Sequence, residues 1–116
     1  MYMIVREFSL WLKGNKGYSR STVDNYCRTL LAFDEFLKIQ TKGEGSINLP
    51  HTIRLMDVDD FATYLDKKGK SVKTVNNYLY GVKSFLKFCK HKGLYVMDYE
   101  LISFAREPEN KITALD

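Results

Sequence analysis

The chain has 116 residues, of which 45% are hydrophobic and 28% charged, with a formal net charge of +4. A domain of this size folds without disulfides or metal, and the composition excludes a disordered chain or a membrane span of ~18 apolar residues. The two cysteines, Cys27 and Cys89, have no metal-ligand or disulfide-framework spacing. We therefore expect a cytoplasmic domain with no metal site, no cofactor and no membrane contact, whose basic excess suits an anionic partner.

Apolar residues recur at helical rather than alternating spacing, so the chain is predicted to be all-α. The first helix is predicted over Ile4–Lys13, where glycines follow it. The second helix follows Ser19 or Ser21, and either serine could cap it. Ser21 has Asp24 three residues on, which is the spacing of a capping box.

The segment 41–55 is predicted to be a loop because it contains glycines, a proline and small polar residues. A third helix is predicted to start at Asp57, with Asp60 at capping-box spacing, and to stop at Gly69. These boundaries place a long connection between the second and third helices.

A fourth helix is predicted from Ser71 to about Lys92, and a short fifth helix from Asp98. The remaining residues, 106–116, are polar and contain a proline, so we interpret them as the start of a linker. Residues 1–105 are then the folded domain.

The second and fourth helices repeat each other. The pattern Ser-x-x-Thr-Val-x-Asn-Tyr over residues 19–26 recurs over residues 71–78, 52 residues later, and the preceding helices match at an offset of 53. The repeat predicts two αα-hairpins, each a short helix followed by a long one. The spacing also assigns three tyrosines to the core: Tyr26, Tyr64 and Tyr78.

Polar residues at matched positions of the repeat admit two interpretations. Ser19 and Ser71 are expected to cap their helices, and ligand contact is open to them as well. Asn25 and Asn77 lie beside the apolar stripe, where a contact role explains a weak helix former. Gly81, inside the fourth helix, allows either close helix packing or close approach to a DNA backbone, and we favour packing.

The basic charge is concentrated on the fourth helix and the turn before it. Residues 67–93 contain eight lysines and no acidic residue. A charge run can be only a solvated face, but here it begins at a helix N-terminus, whose free amides favour phosphate. The candidate DNA-binding residues are Ser19, Arg20, Ser21, Thr22, Asn25, Arg28, Lys70, Ser71, Lys73, Thr74, Asn77 and Tyr80.

The stretches GYSRSTVDNYCRTLLAFDEFLK and SVKTVNNYLYGVKSFLKFCKHKGL resemble the N-terminal SAM-like core-binding domain of tyrosine recombinases, the phage integrases and Xer-type recombinases. The motif residues are Ser19, Thr22, Tyr26, Phe33, Phe36 and Leu37, then Ser71, Thr74, Leu79, Ser84, Phe85 and Phe88. The resemblance implies a SAM-like orthogonal bundle that clamps one face of duplex DNA at a recombination core site.

The resemblance also implies partners and an absence of chemistry in this part of the protein. A C-terminal catalytic domain follows the linker, sister protomers form a tetrameric synapse, and the isolated fragment is monomeric. No catalytic residue is expected here. The H-x-x-R pattern from His51 to Arg54 imitates a catalytic spacing, but it lies in a predicted loop and we reject it. Many relatives place Arg where Asn77 stands, so this position either lacks a phosphate contact or reads an adenine instead.

Two other hypotheses stay open at this point. The chain could be a SAM-like helical domain that binds proteins through its aromatic stripes, with lysines that only increase solubility. It could also be an unrelated helical regulator that binds DNA. Salt dependence separates DNA binding from protein binding, because only phosphate contacts weaken steeply as salt rises.

Overall fold

Four α-helices form the fold in the computed structural model, which describes residues 2–105. They are α1 (Met3–Gly14), α2 (Arg20–Gln40), α3 (Leu55–Lys67) and α4 (Val72–His91). Two single-turn 3-10 helices lie at Pro50–Thr52 and Tyr99–Leu101. Within this range there is no strand, only one isolated bridge between Ser46 and Leu49. The predicted all-α fold of two short-plus-long helix pairs is confirmed.

One fully buried phenylalanine from each helix builds the centre of the core. Phe8 of α1 meets Phe85 of α4 with ring centroids 5.5 Å apart, and Phe61 of α3 meets Phe33 of α2 at 5.1 Å. Each short helix therefore packs its phenylalanine against the long helix of the other pair. This exchange joins the two hairpins into one core, and aromatic pairs add to the free energy gained from burial.

The longest helices, α2 and α4, pack on each other more extensively than any other pair. They approach closely at Gly81, where an added Cβ would overlap Thr29 Oγ1. Thr29 is buried, and its hydroxyl donates to the Tyr26 carbonyl at 2.9 Å. Glycine is thus required at 81 by helix packing, as we favoured from the sequence.

The structure decides one predicted helix start and corrects another. Of the two serines that could cap α2, Ser19 is the cap, since its Oγ accepts from the Thr22 N–H, and Ser21 lies inside the first turn. Helix α3 begins at Leu55 rather than at Asp57. The carboxylate of Asp57 accepts from the main-chain N–H of Arg54 at 3.0 Å, so this acid closes the cap from the third helical position.

The predicted fifth helix is also wrong in kind. Asp98 accepts from the Glu100 N–H, but only the single 3-10 turn Tyr99–Leu101 follows before the chain becomes extended. The expected helix ends at glycines are confirmed, since Gly69 and Gly93 have φ angles of +87° and +88°. The linker predicted over 106–116 lies outside the described residues.

The connection between the hairpins is a loop, as predicted, apart from the 3-10 turn Pro50–Thr52. Asp34 on α2 fastens it: the buried carboxylate accepts from the Ile47 N–H at 2.9 Å and from Ser46 Oγ at 3.2 Å. Ile47 itself is fully buried. The loop is therefore held to the domain by a side chain from the helix that precedes it.

The three tyrosines that were assigned to the core divide between two environments. Tyr26 and Tyr78 are half-buried and pack against the core. Tyr64 is 40% exposed, and the core prediction for it is wrong. Its ring lies over Phe36 at 5.0 Å, at the outer edge of the aromatic cluster. Helical spacing placed it on the correct side but not at the correct depth.

Candidate nucleic-acid interface

The first turns of α2 and α4 have the same construction. Ser19 Oγ accepts from the Thr22 N–H at 3.3 Å, and Ser71 Oγ accepts from the Thr74 N–H at 3.1 Å. In each cap the serine hydroxyl also contacts the threonine hydroxyl, at 3.1 and 3.0 Å. The predicted capping role of both serines is confirmed. Each cap satisfies one of the free amides at its helix start and leaves others available.

The charge at these two helix starts opposes the stability preference of a helix. Neither first turn contains an acidic residue, although acids stabilise the positive end of the helix dipole. Arg20 and Lys73 stand there instead. By contrast, α3 has Asp57 in its first turn. Basic side chains beside free amides create a site for an anion, and phosphate is the ligand that such a site favours.

Exposed and half-exposed polar residues of the two helices lie on matched faces. On α2 the face contains Ser21, Asn25 and Arg28, and on α4 it contains Lys73, Asn77 and Tyr80, in both cases at i, i+4 and i+7. Each set ends one residue before the Thr29–Gly81 contact, where the two helices meet. We call the six residues together the polar face. Candidates from both halves of the sequence thus occupy equivalent positions on the two long helices.

Local bonds use some of these candidates and leave others free. Arg28 donates to Asn25 Oδ1 at 3.0 Å, so the α2 asparagine has a partner within its own helix. Asn77 is exposed and makes no side-chain hydrogen bond with any of residues 2–105. Its amide can therefore both donate to and accept from a ligand.

The eight lysines of residues 67–93 fall into two groups. Five lie over aromatic rings or beside carboxylates: Lys68, Lys83, Lys87, Lys90 and Lys92. The other three, Lys67, Lys70 and Lys73, enter no ion pair or ring contact within the described part of the chain. Lys67, Lys70 and Lys73 therefore place basic side chains without a local partner before and at the start of α4, next to the rest of the polar face.

Tyr80 belongs to the polar face, and a second tyrosine, Tyr18, precedes α2. Tyr80 is 48% exposed and stacks on Phe104 with ring centroids 4.3 Å apart. Tyr18, which is absent from the candidates chosen on sequence, packs edge-to-face on Tyr26 at 5.7 Å and is partly exposed. Burial, followed by the charge of Tyr18, raises the pKa of Tyr26. The signal for Tyr18 was its position directly before the Ser19 cap.

The structure also contains a polar residue that sequence reasoning missed. Asn76 is 7% exposed, and its side-chain amide bonds to both main-chain groups of Ala105. Its neighbour Asn77 was the candidate on sequence because only that residue recurs in the repeat. Nothing in the sequence marks Ala105, 29 residues away, as the partner.

The H-x-x-R pattern does not form a site. His51 is exposed in the 3-10 turn, whereas the Arg54 guanidinium pairs with the Asp57 carboxylate at 3.2 Å in the cap of α3. Among residues 2–105 no cluster of His, Cys, Asp or Glu has the geometry of a metal site. No helix in that range is long and apolar enough to cross a membrane.

Comparisons with known proteins agree with the resemblance seen in the sequence. The family described as "Phage integrase, N-terminal SAM-like domain" matches residues 5–93. This range begins within α1 and ends at the glycine after α4, so it includes the starts of α2, α3 and α4. No solved structure gives a significant match.

Curated relatives are distant and longer. Tyrosine recombinase XerD of Listeria monocytogenes serotype 4b is 27% identical over 90 residues, which cover 78% of this chain and 29% of the relative. Tyrosine recombinase XerC of Bacillus subtilis is 30% identical over 90 residues, covering 78% of this chain and 28% of the relative. The match therefore spans less than a third of the length of these recombinases.

Proposed function

The chain belongs to the family of phage integrase N-terminal SAM-like domains, and on this premise we propose that it binds duplex DNA through the polar face and the capped starts of α2 and α4. The observation that carries the proposal is the paired construction of those helix starts. Both are capped by serine, both lack acids and both carry a basic residue. Two such starts beside one polar face suit two phosphate groups.

The candidate residues divide by the chemistry that each can supply. Four basic side chains provide phosphate contacts: Arg20, Arg28, Lys70 and Lys73. The serine and threonine hydroxyls beside the caps donate to phosphate oxygens. Asn77, with its free amide, suits the N6 and N7 edge of adenine or a phosphate oxygen. Tyr80 contributes a hydroxyl at the border of the face.

The wider role follows from the relatives. We propose that the chain is the core-binding part of a site-specific tyrosine recombinase or integrase, and that it covers one face of the recombination site as half of a clamp. In that protein, residues 106–116 lead into a catalytic domain that cleaves DNA, and sister protomers assemble a tetrameric synapse. The folded part in this arrangement is residues 1–105.

Fluorescence anisotropy with a short labelled duplex, measured between 50 and 200 mM salt, tests DNA binding. Four phosphate contacts predict a slope of log K against log[salt] of about −3.6, or a loss on the order of 100-fold over that range. Lys73→Glu should weaken binding and make the slope shallower by about one.

Lys42→Glu is the matched control, because it changes the net charge equally but lies beyond the opposite end of α2. It should leave the affinity close to that of the unmodified chain. No binding at 50 mM salt, or binding that ignores salt, contradicts the proposal and favours a domain that binds proteins. Equal loss in both variants would show attraction by net charge and not by the polar face.

A further inference from the structure

The last described residues run back along α4 in the antiparallel direction. The Tyr99 ring lies 5.7 Å from the Nζ atoms of both Lys87 and Lys90. Phe104 then stacks on Tyr80, and Ala105 reaches Asn76. The partners on α4 thus descend toward its N-terminal end as the chain advances. We call residues 99–105 the strap.

Asn76 fastens the end of the strap through main-chain atoms alone. Its Nδ2 donates to the Ala105 carbonyl at 2.7 Å, and its Oδ1 accepts from the Ala105 N–H at 3.1 Å. The side chain is 7% exposed, so water competes little for these bonds. A paired amide of this kind fixes both the position and the direction of the peptide that it holds, whatever the side chain at 105.

The strap ends beside the polar face. Asn76 precedes Asn77 of the polar face. Tyr80 also belongs to the polar face, and its ring stacks on that of Phe104 with centroids 4.3 Å apart. The Nζ of Lys83 lies over the Phe104 ring, 5.6 Å from its centroid. The point where the chain leaves the strap is therefore set by the same turns of α4 that carry the candidate DNA contacts.

The second helix has no equivalent of the hydrogen-bond pair between Asn76 and Ala105. The residue at the Asn76 position of the repeat is Asp24, which is exposed and makes no side-chain hydrogen bond within residues 2–105. The difference is useful, because a change at Asp24 removes the side chain at an equivalent helical position without touching the strap. It also shows that helix formation does not require an amide at this position.

We propose that Asn76 is a positioning residue that fixes where the chain leaves the domain, so that the protein after Ala105 starts next to DNA held on the polar face. The proposal rests on the proposed function, since it assigns a direction to the DNA-bound state. Asn76 touches no DNA in this arrangement. It acts through the main chain of Ala105.

Directed hydroxyl-radical cleavage tests where the strap ends. The labelled chain combines Ala105→Cys, to which an iron chelate is tethered, with Cys27→Ser. The hydrogen bonds from Asn76 are retained in this chain, because they use only main-chain atoms at residue 105. We expect cleavage of bound duplex confined to a few neighbouring nucleotides. Adding Asn76→Ala should spread the cleavage at unchanged DNA affinity, whereas adding Asp24→Ala should leave the pattern sharp.

Amide hydrogen exchange tests the hydrogen bonds between Asn76 and Ala105 in the absence of DNA. The Ala105 N–H should exchange on the order of tenfold faster in Asn76→Ala, as expected for one lost hydrogen bond. Asn76→Asp keeps the acceptor for this N–H and loses the donor to the Ala105 carbonyl. It should retain part of the protection, which gives a second variant should Asn76→Ala fail to fold.

The outcomes are distinguishable. Sharp cleavage that persists in Asn76→Ala, or diffuse cleavage from the unmodified strap, overturns the positioning role. If the parent chain does not bind DNA, the proposed function is wrong, and the positioning role of Asn76 is wrong with it. Protection of the Ala105 N–H that depends on Asn76 would then show that these hydrogen bonds only stabilise the fold.

Discussion

Helices α2 and α4 start alike and then diverge. Both begin at a serine cap in contact with a threonine, and both carry an asparagine of the polar face six residues after that cap. The outer edge of α4, however, is covered by the strap, whereas Asp24 at the equivalent edge of α2 is exposed. The shared part is the one to which we assign the phosphate contacts. The difference is that α4 also holds the strap through Asn76.

The two cysteines provide the largest contrast between the long helices. Burial raises the pKa of Cys89 on α4 to about 12 and also raises the pKa of the half-buried Cys27 on α2. At pH 8 a pKa of about 12 leaves roughly one thiol in ten thousand as thiolate, and the thiolate is the reactive form. Alkylation followed by mass spectrometry should modify Cys27 first and Cys89 only on unfolding.

Raising the pH should accelerate the reaction of Cys27 while Cys89 stays unmodified in the folded chain. Urea provides the control, because both thiols should react at similar rates once the chain is unfolded. Rapid modification of Cys89 in the native chain at pH 8 would mean that the C-terminal end of α4 opens readily to solvent.

The contact that the two helices share gives the next largest effect. Gly81→Ala should lower the free energy of unfolding by about 1–3 kcal/mol, because the new methyl group overlaps Thr29 Oγ1. Thr29→Ala removes that oxygen, and the double variant should recover part of the loss. Urea denaturation of the four chains gives the coupling free energy.

Gly14→Ala is a control for helix propensity, because an added Cβ there meets nothing within 4 Å. A Gly81→Ala chain that gains as much stability as the Gly14→Ala chain would show that α2 and α4 accommodate the methyl group without cost. It would remove the physical reason for a glycine inside α4.

The smallest effect is expected when a positive charge is moved from the start of α4 to the start of α2. Ser21 on α2 and Lys73 on α4 occupy equivalent positions of the repeat. Lys73→Ser should flatten the salt slope of DNA binding by about 0.9, and Ser21→Lys should steepen it by the same amount. The chain with both changes should regain the parent slope, measured by fluorescence anisotropy.

Equal effects of the two single changes would mean that both helix starts lie equally close to phosphate. An effect of Lys73→Ser without any effect of Ser21→Lys would place the duplex mainly along α4. Either result shows how the phosphate contacts are divided between α2 and α4. No change in slope for either variant contradicts DNA binding through the polar face.

Helix content and the repeat could be predicted from the sequence because both depend on local spacing. The Ser71 cap and the glycine ends follow from rules that act within a few residues. The starts of α2 and α3 were harder to place, since two serines competed for one cap and Asp57 acts from inside its helix. The depth of Tyr64 depends on how far α3 sinks into the core, which spacing does not determine.

The parts of the site that involve distant residues could not be predicted. The bond between Asn76 and Ala105 joins positions 29 residues apart, and the extended strap has no periodic pattern of its own. Charge along the sequence also did not show which lysines pair with carboxylates. Of the eight, Lys83 and Lys92 do so within residues 2–105. Lys68, Lys87 and Lys90 lie over aromatic rings, which leave their charge in place.

The meeting of Thr29 and Gly81 has a consequence for the symmetry of the fold. These residues are 52 positions apart, so the two long helices meet at equivalent positions of the repeat. At such a position each residue faces its own counterpart. Two threonines would collide there and two glycines would leave a gap. The two hairpins share a plan, but they are not interchangeable, and the pairing of a large and a small residue makes them complementary.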